Sequence, residues 1–128
     1  MKTAVLISRI LLGAIFLFFG SNTFLHFLPM PPLPPSPMKQ FNDVLQSTGY
    51  AYFVGFFQVA SAILLLINRY VPLALTLLGP VLVNILIFHI TMAPSTILAA
   101  IIATILWSIV FWGVRSAFAG IFQQRVES

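Results

Sequence analysis

The chain contains no cysteine and only two acidic residues, Asp43 and Glu127. The first absence excludes a thiol–disulfide relay, a thiolate metal site and an iron–sulfur cluster held by this chain alone. The second leaves no carboxylate relay, and nothing pairs a nucleophile with a base for hydrolysis. Charge of any sign is scarce, at 6% of the 128 residues. A soluble domain of this size carries roughly a quarter of its residues as charges. This chain has no such aqueous surface.

What it has is apolar length. Hydrophobic residues make up 60%, and mean hydropathy is +1.07. The expected fold is all-α, a polytopic membrane protein of one domain built as a four-transmembrane-helix bundle. The net charge of +4 arises from six Lys and Arg against the two acids. Those six are scattered, which fits anchors to phospholipid headgroups and membrane lipids as partners, with no nucleic acid.

Apolar runs place the spans at about 4–28, 50–67, 72–91 and 96–112. About 20 residues cross a bilayer core. The first run opens with Lys2 and Arg9, as a signal peptide would. It is too long for one, and no Ala-x-Ala-like site follows, so it is expected to remain as a helix. Gly13 and Gly20 share a face that could admit a neighbouring helix closely, and Ala51 and Gly55 form a small-x-x-x-small pair. Gly79-Pro80 should kink the third span. Trp107 and Trp112 should close the fourth in an aromatic belt. Residues 113–128 form a tail expected to continue as an interfacial helix.

The stretch from Asn22 to Pro37 holds one of the two histidines and six of the nine prolines. Proline removes a backbone donor and clashes with the preceding turn, so the outer loop 29–37 cannot be helical. It reads as a rigid cover over the bundle or a partner-docking surface. After it, Ser36 suits an N-cap, Pro37 the first helical position and Gly49 the position past the end. Phe41, Val44 and Leu45 share a face, which predicts an amphipathic helix over 37–48 on the membrane surface. With the N-terminus inside, Lys2, Arg9, Arg69, Arg115 and Arg125 are cytoplasmic and only Lys39 is outside. That asymmetry predicts a cytoplasmic (inner) membrane protein with both termini in the cytoplasm.

Polar groups inside a membrane cost free energy unless paired. Asn22, His26, Gln58, Asn84 and His89, with Tyr52 near them, fall in the outer half of the expected bundle. Three readings are open. The side chains hold helices together, at on the order of 0.6–2 kcal/mol per bond. They surround a quinone or similar lipid-soluble molecule, with neutral donors at its carbonyls and a histidine to exchange the proton. Or His26 and His89 ligate a haem, which is the weakest reading because no spare ligand exists. No catalytic residue, metal site or resident cofactor is firmly implied.

Arg9-Ile10-Leu11-Leu12-Gly13, Phe19-Gly20-x-Asn22 and His26-Phe27-Leu28-Pro29-Met30-Pro31-Pro32 resemble the first helix and loop of DoxX-like membrane proteins. The resemblance continues through Thr48-Gly49-Tyr50, the stretch from Leu64 to Leu75, and Pro80-Val81-x-Val83-Asn84-Ile85 with Phe88-His89. It implies a compact four-helix membrane bundle. It also implies a small subunit beside a quinone-linked redox enzyme, itself without a redox centre, and Asn22, His26, Asn84 and His89 match its pattern. Relatives often carry an acidic residue in the second span near Gln58, where this chain is neutral. Glycine faces on short helices would also allow a homo-oligomer.

Overall fold

Local rules set the helix ends before any packing is considered. The protein is seen in a computed structural model that describes residues 1–29 and 31–127, so Met30 of the Pro-rich loop and Ser128 of the tail lie outside the described residues. The helices are α1 (Lys2–Leu25), α2 (Pro37–Thr48), α3 (Tyr50–Leu66), α4 (Val71–Met92) and α5 (Leu98–Val114). Short 3-10 turns cover Pro94–Thr96 and Arg115–Phe118.

α2 follows its sequence signals. The Ser36 hydroxyl accepts from the Lys39 N–H at 3.2 Å, Pro37 opens the helix, and Gly49 ends it at φ 80°. The Lys39–Asp43 pair on its surface, at 2.6 Å, is exposed and contributes only about 0.3–0.5 kcal/mol. At Gly49 the chain turns by 86° into α3. No residue of α2 is buried, and Phe41 stacks on Phe88 of α4 with ring centres 5.3 Å apart.

α1 stops at Leu25, short of the expected Leu28. Pro29 has no N–H to offer the Leu25 carbonyl. The chain therefore turns early: His26 adopts φ 50° and donates its N–H to the Asn22 carbonyl at 2.9 Å. α3 ends in a Schellman motif. Asn68 sits at φ 55°, with Asn68 N–H on Leu65 O and Arg69 N–H on Leu64 O. The tail differs from expectation. Past Val114 it makes one 3-10 turn and then runs irregularly, because Gly120 is a poor helix former and almost every residue there is exposed, without a surface to pack on.

α1, α4 and α5 with its 3-10 extension are each long and apolar enough to cross a membrane. α3, with 17 residues, passes that test only together with α2, so there are three such helices, or up to four if the bent pair is one span. α1 packs on α3 and α5, and α4 packs on the same two, which closes a four-helix bundle. Leu12, Leu65, Leu75, Leu78 and Val110 are fully buried at its centre. Phe53, Phe56, Ile87 and Ile90 point outward. An apolar exterior of this kind suits lipid.

The α1–α3 seam is made by glycine, as the spacing of Gly13 and Gly20 predicts. A Cβ at Gly13 would stand 2.8 Å from Leu66 Cγ, and one at Gly20 would stand 3.0 Å from Gln58 Cβ. On the other helix, Gly55 faces Thr23 and Phe24. Trp107 departs from the belt expected of it. Its ring lies between α4 and α5, 3.6 Å from where a Gly79 side chain would begin, and its Nε1–H donates to Leu75 O at 3.1 Å.

Candidate functional site

The six expected site residues all lie among the described residues, in α1, α3, α4 and the turn after α1. Asn22 is half-buried, and its Oδ1 accepts the Leu28 N–H at 2.9 Å. Its work is to shape the turn. His26 lies just past the helix end with its side chain exposed. Gln58 is half-buried in α3 against Gly20, and Tyr52 is exposed with its ring 5.5 Å from that of Phe24. Asn84 is exposed and donates Nδ2–H to its own helix at Pro80 O, 2.8 Å away.

His89 is half-buried, with Nδ1 2.8 Å from Ile85 O. A carbonyl can only accept, so Nδ1 carries the proton, and in the neutral ring Nε2 is left as an acceptor. Phe88 meets the imidazole edge-on, with ring centres 5.0 Å apart. Phe41, Phe88 and His89 thus form an aromatic corner under α2. Among the described residues, no side-chain hydrogen bond joins any two of the six; Asn22 and His26 meet only through the backbone bond at the end of α1. The reason is local: a short polar side chain on a helix can reach the carbonyl four residues back without help from a neighbour.

The conformation of His26 is informative. A left-handed residue after a helix is ordinarily Gly or Asn, and a side chain there costs roughly 1–2 kcal/mol. Backbone geometry therefore does not favour histidine at this position. Among the described residues, no group of three or more His, Asp or Glu could hold a metal ion.

Several polar residues at the other end escaped the sequence reading. Arg9 does more than anchor α1: its Nη1 donates to Leu65 O, and lies 3.5 Å from Leu66 O, at the C-terminus of α3. A cation there meets the negative end of the helix dipole. Ser61 is fully buried, and its hydroxyl has no hydrogen-bond partner among the described residues. Two clefts open at this end, away from the histidines. One, of about 380 Å³, is walled by Trp107, Phe111 and Phe118, with Trp107 and Phe111 stacked 5.4 Å apart. The other, of about 590 Å³, lies between the start of α1, the α3–α4 turn and the end of α5.

The DoxX family model matches residues 4–90. The chain belongs to the DoxX family. The match takes in nearly all of α1, then α2, α3 and most of α4, and with them all six expected site residues. It stops before α5, so Trp107 and Arg115 lie beyond it. No curated protein and no solved structure matches the chain. For this DoxX protein, then, the family is shown by sequence, and the ligand question rests on the geometry above.

Proposed function

We propose that this DoxX protein is a non-catalytic membrane subunit, a compact scaffold whose polar residues set helix ends and helix seams beside a partner in the membrane. One observation supports it above the others: Asn22, Asn84 and His89 each use a hydrogen bond on nearby backbone, and none reaches another of the six. On this reading Asn22→Ala lowers the thermal midpoint by the equivalent of about 1 kcal/mol, because the Leu28 N–H loses its acceptor. A midpoint unchanged by Asn22→Ala would count against it.

A second reading, quinone binding near the outer membrane surface in service of a redox enzyme, has its own observation in the His89 corner. The neutral ring presents Nε2 as an acceptor beside the Phe41–Phe88 pair. A quinol hydroxyl could donate to Nε2 while its ring lies on the phenylalanines, and the partner would supply the redox centre. His89→Asn separates the two readings. It keeps a donor near the Nδ1 position, toward Ile85 O, and removes Nε2. Native mass spectrometry of protein extracted gently from its own membrane is the test. A quinone mass retained by the wild type and lost in His89→Asn would replace the scaffold reading. A protein that carries only phospholipid or another protein leaves the scaffold standing. In either case, the basic asymmetry between the two ends supports placing both termini in the cytoplasm of an inner membrane.

A further inference from the structure

The cleft of about 590 Å³ is amphipathic in a particular way. Lys2, Arg9 and Arg115 line it, together with Asn68 from the α3–α4 turn. Below them Val71 and Val110 are buried, and Trp112 stands at the side. The two valines close its base. Neither acid of the chain lines the cleft, and among the described residues the one ion pair, Lys39–Asp43, is at the opposite end of the bundle. Three cations therefore converge without a carboxylate to neutralise them.

Two of those cations are held in place. The Arg9 guanidinium is fixed by the carbonyls at the end of α3, which occupy Nη1 and leave its other N–H groups for a ligand. The Arg115 guanidinium lies over the Trp112 ring, 4.0 Å from its centre, with Nη1 donating to Trp112 O at 2.6 Å. Ordering a cation before its ligand arrives lowers the entropy lost on binding. The planar fork of arginine matches phosphate oxygens better than a point charge does.

We propose that this cleft binds the phosphate headgroup of an anionic phospholipid from the adjoining leaflet. The exposed apolar wall and the position at the ends of lipid-length helices select the lipid over free phosphate. A glycerol and acyl stem can lie along the exposed Leu6 and Trp112 of its wall, whereas a phosphate ion gains nothing from them. Basic pockets between membrane helices are a general means of holding such headgroups. This goes beyond scattered anchoring, because the site is one cleft made by three separate parts of the chain.

The test uses the full chain, delipidated in detergent and titrated with phosphatidylglycerol or with phosphatidylcholine of the same acyl chains, read by native mass spectrometry. The wild type should prefer the anionic lipid by about tenfold, and Lys2→Gln with Arg115→Gln should abolish most of that preference. Arg69→Gln with Arg125→Gln removes the same charge outside the cleft and should change binding by no more than about twofold. Equal losses in the two double variants would reduce the effect to surface charge and overturn the site. So would a wild type that does not discriminate between the lipids. A third arm supplies inorganic phosphate alone: if it binds as tightly as the lipid, the headgroup assignment falls. Lys2→Gln alone, a change at an exposed side chain, carries the same comparison should the double variant not fold, with about a threefold loss expected.

Discussion

Along the α1–α3 seam the backbones approach until a Cβ at Gly20 would meet Val59 Cγ2 at 3.0 Å and Val59 N at 3.3 Å. Along the α4–α5 seam a side chain beginning at Gly79 would meet nothing nearer than the Trp107 ring at 3.6 Å, which is ordinary contact. The first seam is closed by omission of side chains, the second by an indole and its neighbour Phe111. In lipid there is little hydrophobic force between helices, so association rests on close packing and interhelical hydrogen bonds. The glycine seam uses close backbone packing, with one hydrogen bond, Arg9 to Leu65 O, at the end of α3. The aromatic seam has its hydrogen bond from an indole, Trp107 to Leu75, and leaves a cleft of about 380 Å³ beside it. At Gly20 the α1–α3 seam leaves no room for even a methyl group, whereas the rings of the α4–α5 seam border a cleft.

Four substitutions would break or sharpen this contrast. Gly20→Leu should have the largest effect, a loss of about 3 kcal/mol or failure to assemble, since Gln58 Cβ, the branched Val59 and the Val59 backbone N stand in its way and none is the end of a long flexible side chain. Thermal unfolding in detergent measures it, and a near-wild-type midpoint would show that the seam can open. Trp107→Phe keeps an aromatic ring but deletes the bond to Leu75 O and part of the indole's packing, for a loss of about 1–2 kcal/mol by the same assay. At the end of the glycine seam, His26→Gly should raise stability by up to about 1 kcal/mol, because glycine adopts φ 50° without strain. Lower stability would reveal an unrecognised partner for the imidazole. Gly79→Ala should change the midpoint least, within about 0.5 kcal/mol, as its Cβ only touches the indole.

The parts of the fold that were legible in the sequence are those governed by neighbouring residues. Ser36, Pro37 and Gly49 bound α2 by capping chemistry alone, and a seven-residue spacing was enough to place Gly13 and Gly20 on one face. The end of α1 was less legible. Hydrophobic length argued for Leu28, while the turn at Leu25 depends on Asn22 catching the Leu28 N–H and on a proline that cannot donate. Trp107 was misplaced for a different reason. A tryptophan near the end of a span suits an interface or a helix seam equally well, and only the gap opposite Gly79 distinguishes them.

The candidate site divides in the same way. Counting along the helices puts the two histidines at one end of the bundle and most of the basic residues at the other. It does not say which side chains face each other, because direction around a helix has meaning only once a neighbour is packed against it.

The sequence by itself determined that this is an all-helical membrane protein of the DoxX family, where its surface helix begins and ends, and which face of α1 a neighbour would meet. Composition, caps and periodicity are properties of the chain taken a few residues at a time. The tertiary structure alone decided that Arg9 closes the end of α3, that Trp107 bridges α4 and α5, and that Lys2, Arg9 and Arg115 share one cleft. Arg9 and Leu65 are 56 residues apart. Such contacts depend on the register and rotation of whole helices against one another, and no local pattern encodes them.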